Sequence, residues 1–150
     1  MNLTPNFKLE EFTASEAARR HGLSNEPNEA ELARLRNNAR TLEIVRFICN
    51  DASVRISSGF RSDPVNRKVG GVPTSDHRKG DASDFTVPGY GTPLVVARRI
   101  EAAWKLGIIT FDQLIYEHTW IHLSTAPRMR GQVLTLNKGG KGYLSGIVAS

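Results

Sequence analysis

Leu32, Leu35, Ala39, Leu42, Val45 and either Ile48 or Cys49 recur at helical spacing. They form an apolar stripe of about five turns that is satisfied only against a second apolar layer. The residues at 28–31, NEAE, place a capping signal at its start, which predicts the main core helix of a globular domain. At 150 residues the chain fits one domain, 1–150. Cys49 is the single cysteine, so neither an internal disulfide nor a thiolate zinc cluster can be built, and stability has to come from packing. On an apolar helix Cys49 reads as a small core residue and not as a nucleophile.

Before this helix, Phe7, Leu9 and Phe12 read as an irregular docked strand. TASE at 13–16 reads as a capping box for a short helix that stops at Gly22. After it, residues 54–58 alternate like a strand. Residues 62–80 form a Gly-, Pro-, Asp- and Ser-rich loop, and a loop of that length inside a small domain is usually functional. Residues 82–87 give a second strand, and Thr92-Pro93 opens a helix through Val96, Ile100 and Trp104 to Gly107. Residues 114–117 and 120–123 read as a hairpin, with further edge strands at 133–136 and near Tyr143. This order predicts an α+β fold, an antiparallel sheet with helices packed on it.

The formal charge is +5, which favours anionic partners. Its carriers, Arg19, Arg20, Arg34, Arg36, Arg40, Arg98, Arg99, Arg128 and Arg130, are scattered and not interleaved with aromatic residues. They read as solvated faces, and no nucleic-acid partner is expected. The start, MNLTPNFKLEEF, lacks the basic and apolar blocks of a secretory leader, and no apolar run reaches membrane length. The expectation is synthesis in the cytoplasm without a signal peptide and no stable membrane association. An extracellular target would then require a separate release route.

Hydrolytic zinc sites take three nitrogen or oxygen ligands and keep one position open. Of the four histidines, His21 sits beside Gly22 at a helix end, where a positive ring suits the helix dipole. His77 and Asp84 are seven residues apart, and Gly80 between them allows the chain to turn so that both meet one ion. Alone, this pair reads equally well as a surface hydrogen bond. His122 lies two residues from Trp120 on a strand, so both share a face where the indole can shield a metal. The competing reading is a core histidine bonded to a backbone carbonyl.

Residues 75–84, SDHRKGDASD, have the pattern S-x-H-x-x-G-x-A-x-D, and WIH follows at 120–122. SSGFR at 57–61 has the form S-G-[YF]-R, and FDQLIYE stands at 111–117. In these segments the chain resembles the zinc peptidases that include bacterial D-alanyl-D-alanine carboxypeptidases, vancomycin-resistance dipeptidases and phage L-alanyl-D-glutamate endopeptidases. The likeness covers roughly residues 7 to 124, leaves 125–150 as added C-terminal strands, and is greatest to the short phage-type members. It implies the fold shared with Hedgehog signalling domains and DD-peptidases, and Zn2+ held by His77, Asp84 and His122.

A base is then required near the attacking water. With His118-Thr119 as a two-residue loop, Glu117 pairs with Trp120 and Ile115 with His122, so Glu117, Trp120 and His122 share a face. His-Thr is a poor turn, and a one-residue slip would aim Glu117 away. Several members of the resembled family carry the acid where this chain has Thr119, so His118 and Asp112 remain alternative bases. Arg61 leaves a strand just before the metal loop, where it can clamp a substrate carboxylate or polarise the carbonyl under attack. Ser75, Gln113 and Trp120 are expected substrate contacts, whereas Asp76 and Asp81 read as loop solvation.

The resemblance implies a metallopeptidase acting on peptidoglycan stem peptides. The expected bond is L-alanyl-D-glutamate, cut by an endolysin-like monomer that reaches the cell wall through a holin-type release partner. A D-alanyl-D-alanine carboxypeptidase and a non-catalytic zinc module are the alternatives.

Overall fold

The computed structural model describes residues 1–149. The N-terminal segment forms a small ribbon, β1 (Asn2–Thr4) with β2 (Phe7–Lys8), and passes directly into α1 (Leu9–Thr13). The irregular strand expected through Phe12 is thus a hairpin followed by a helix. Glu11 is the reason, since its carboxylate accepts the Lys8 backbone N–H at 2.7 Å and closes the first turn. In α2 (Glu16–His21) the cap is Ser15, whose Oγ accepts from Ala18 N. Thr13, expected to cap, instead ends α1.

The core helix is α3 (Glu29–Ile48), capped by Asn28 in a reciprocal box with Glu31. Its apolar stripe is fully buried at Leu35, Ala39, Leu42 and Val45. Cys49 is buried behind it, its thiol pushed up to about 11 by burial, which keeps it protonated and inert. After β3 (Arg55–Ser58), the expected loop contains two short helices, α4 (Asp63–Lys68) and α5 (Asp76–Lys79). Pro64 stands in the first turn of α4 and Ser75 caps α5. Apolar periodicity is too short in either to announce them. Then follow β4 (Ala82–Thr86), α6 (Pro93–Lys105), β5 (Gln113–Tyr116), β6 (Ile121–Ser124), β7 (Gln132–Leu136) and β8 (Tyr143–Ser145).

The strands after β2 form one six-stranded sheet in the order β3-β4-β6-β5-β7-β8. One face carries Phe85, Leu114, Tyr116, Ile121 and Leu123 into a single apolar cluster with α3 and α6. Because side chains alternate along a strand, Asp84, His122, Ile115 and Gln113 take the other face. The fold is α+β, as expected, with one correction to the sheet. β5 and β7 are parallel, Gln113 opposite Gln132 and Tyr116 opposite Thr135. The link from β6 crosses the start of β5 and enters β7 in the same direction as β5. Gly131 N donates to Phe111 O and Gln132 N to Asp112 O, which fixes that crossing. No helix among the described residues is long and apolar enough to cross a membrane.

Candidate metal centre and substrate pocket

His77, Asp84 and His122 come from α5, β4 and β6. One donor atom of each lies within 4.8 Å of the others. Asp84 and His122 are directly opposite across the β4–β6 ladder, where cross-strand side chains stand about 5 Å apart. His77 is brought over them by Gly80, which ends α5 at φ 85°. A Cβ at Gly80 would meet Glu31 O at 2.8 Å, so neither the backbone angle nor the space admits another residue. Asp84 Oδ2 is 3.3 Å from His77 Nε2, and its Oδ1 is 2.9 Å from His122 Nδ1. Burial pushes the Asp84 carboxyl up, but its contacts with the two rings outweigh burial and hold it well below the usual carboxylate range.

The donor set fits a zinc ion. His77 Nδ1 donates to Gly59 O at 2.7 Å, which fixes the tautomer and turns the Nε2 lone pair toward Asp84. Gly59 is needed there because a Cβ would meet Phe12 O at 2.7 Å. Two ring nitrogens and one carboxylate oxygen match the ligand chemistry of a catalytic zinc and leave a position open.

The hairpin takes the register in which Tyr116 faces Ile121 and Ile115 faces His122. Glu117 N donates to Trp120 O at 3.1 Å, so His118-Thr119 is a two-residue loop and no slip occurs. His118 takes φ 66°; its Nε2 donates to Leu136 O at 2.7 Å, anchoring an unfavourable turn. That bond holds His118 outside the metal pocket, whereas Glu117 lines it. Burial, then the charge of Asp84, pushes the Glu117 carboxyl above the usual range. Trp120 Nε1 donates to Glu117 Oε2 at 3.1 Å, which leaves Oε1 available to a substrate or water. Asp112 is fully buried and grips Arg130 with both oxygens at 2.9 Å, so it is spent on structure.

A cavity of about 390 Å³ opens over these three donor groups, within the roughly 300–1,000 Å³ of small-ligand sites. Arg61, Ser75, Gln113, Glu117 and Trp120 all line it. Arg61 N donates to His77 O at 3.0 Å, and its Nη2 donates to Ser75 Oγ at 3.3 Å. Its Nε is buried and has no hydrogen-bond partner among the described residues, and burial pulls its pKa down against the opposing pull of Asp84. Gln113 Nε2 donates to Gln132 Oε1 at 2.8 Å.

The model of the family described as Peptidase M15 matches residues 5–124. The chain belongs to the M15 peptidases. No curated protein matches it. The M15 match spans all three metal-centre residues, Arg61 and Glu117, and ends before Arg128, Arg130 and Tyr143, which also line the pocket. Nothing local in the sequence marks those three as pocket residues, and both arginines read there as solvated surface. Two acids that read as loop solvation are structural as well. Asp76 accepts from Ser124 Oγ at 2.7 Å and from Arg128, tying α5 to β6, and Asp81 is buried against Arg34 at 2.8 Å. The only available signal was the adjacency of Asp76 and Asp81 to the motif residues; no periodicity marks the arginines.

Proposed function

We propose that this M15 peptidase hydrolyses a peptide bond in the stem peptides of bacterial peptidoglycan with zinc held by His77, Asp84 and His122. The preferred bond is L-alanyl-D-glutamate. The observation that carries this reading is the convergence of three donor atoms within 4.8 Å at the floor of a pocket that also holds Glu117 and Arg61. Held by these three residues, zinc would supply a Lewis acid and would bring the pKa of the attacking water down to about 7.

The chain's own groups account for the rest. Glu117 takes the proton of the attacking water at Oε1 and returns it to the leaving amine, while Trp120 steadies Oε2 and excludes solvent. Arg61 presents N–H donors to the oxygen that gains charge, or to a neighbouring carboxylate of the stem. Ser75 orients Arg61, and Gln113 offers an amide to the peptide backbone. The same reading takes the fold to be that of the Hedgehog and DD-peptidase domains. It also takes the enzyme to be a monomer that acts at the cell wall after release through a holin-type pore.

Digestion of purified peptidoglycan, with fragment masses read before and after chelation and zinc restoration, tests the proposal. New alanine carboxyl and glutamate amino termini with an intact glycan are expected. A D,D cut would move the bond, release of reducing sugar ends would overturn the peptidase reading, and zinc binding without any release would favour a non-catalytic module.

A further inference from the structure

The stretch from Thr125 to Gly131, outside the M15 match, carries two arginines to the rim of the metal pocket. They are held very differently. Arg130 spends its Nε, its Nη2 and its backbone N–H on Asp112, each near 2.9–3.0 Å. The Nε and Nη2 side of its fork is taken up by a fully buried carboxylate. Arg128 is half-exposed and, among the described residues, makes its polar contacts through Nη2, at 2.7 Å and 2.8 Å from the oxygens of Asp76 and 3.2 Å from Asp112 Oδ2. Among the described residues its Nε and Nη1 have no hydrogen-bond partner, and the side chain lines the cavity with Arg61, Ser75 and Asp84.

Met129 between them takes φ 44°, and Gly131 follows at φ 64°. Asp112 holds Arg128 and Arg130 together, so the backbone conformation between them serves to bring both guanidinium groups to one carboxylate. Asp76 and Asp112 match the two arginines charge for charge, which leaves little net field. What Arg128 offers is a fixed planar set of free N–H donors, the geometry that recognises a carboxylate. Two acids orient it, one next to the ligand His77 and one at the foot of β5, so it stands in a defined place relative to the metal ligands.

We infer that Arg128 is a specificity-determining residue that binds a free carboxylate of the peptide substrate, a different one from any group that Arg61 meets. The inference rests on the peptidase reading above and narrows it to peptides carrying a free carboxylate close to the cleaved bond. Arg130, Asp76 and Asp112 are positioning residues for it. A carboxamide of the same shape accepts fewer hydrogen bonds and carries no charge, so the site discriminates acid from amide at that position.

The test uses zinc-loaded protein and synthetic stem peptides in which each free carboxyl group is converted in turn to its carboxamide. For the wild type, one of these amides should be cleaved with a kcat/KM about tenfold to hundredfold below the acid, mainly through KM. In Arg128→Gln that acid-to-amide ratio should fall toward one. Arg128→Lys, which keeps charge and loses the fork, should fall between. A merely structural role would lower both peptides alike and leave the ratio unchanged, and an unchanged ratio in both variants overturns the assignment while leaving the peptidase intact. Failure of the wild type to cleave any stem peptide overturns the peptidase reading, and this inference with it.

Discussion

Asp84 Oδ1 lies 2.9 Å from His122 Nδ1, the two residues standing directly opposite on antiparallel strands. The ladder that sets this pair is continuous with the buried face through Phe85 and Ile121. The positions of two of the three candidate ligands are therefore set by the ladder that carries the core, and the third, His77, is pinned by Gly59 O.

Removing any ligand should release the metal. His77→Ala, Asp84→Ala and His122→Ala should each weaken zinc binding by more than the roughly 10–100-fold that loss of an outer hydrogen-bond partner costs. Metal content after dialysis against a graded chelator checks this. Full occupancy in all three would refute the centre.

Glu117→Gln keeps the shape of the side chain and its bond from Trp120, but cannot accept a proton. Zinc content and melting temperature should stay near wild type while kcat falls on the order of 10²–10⁴-fold. Turnover close to wild type would remove Glu117 from the role of base.

Arg61→Lys should lower kcat/KM by about tenfold or more, because one ammonium does not replace a planar fork. The Arg61 backbone bond to His77 O survives the change, so zinc affinity should hold. A lysine variant of full activity would reduce Arg61 to a source of positive potential.

Asp112 supports the crossing between β6 and β7. Burial pushes its carboxyl up, but hydrogen bonds from Arg130 and the charges of Arg128 and Arg130 prevail and hold it below its ordinary value. A depressed folded-state pKa means that its stabilisation is present above the ordinary value near 3.9 and is lost as pH falls through the depressed one. Asp112→Asn should cost about 1–3 kcal/mol at neutral pH and flatten the loss of stability below about pH 4. Chemical denaturation at pH 7 and pH 3 checks both, and an equal deficit at the two pH values would contradict it.

Local sequence information specified the elements whose signals are local. The stripe from Leu32 to Val45, the Asn28 cap, the Pro93 helix start and the alternation around Asp84 and His122 each depend on periodicity or on contacts within a turn, so they were readable without the fold. The pairing of Glu117 with Trp120 was readable as one of two registers. Only the structure chose between them, because His118 is held at positive φ by Leu136, a residue from another strand. The direction of β7 was equally out of reach, since alternation is the same for parallel and antiparallel neighbours and Asp112 enforces the crossing from a distance. The chain order by itself determined which residue types could bind a metal. That Arg128, Arg130 and Tyr143 stand in the same pocket was decided by the sheet, which folds a segment beyond the motif back beside it.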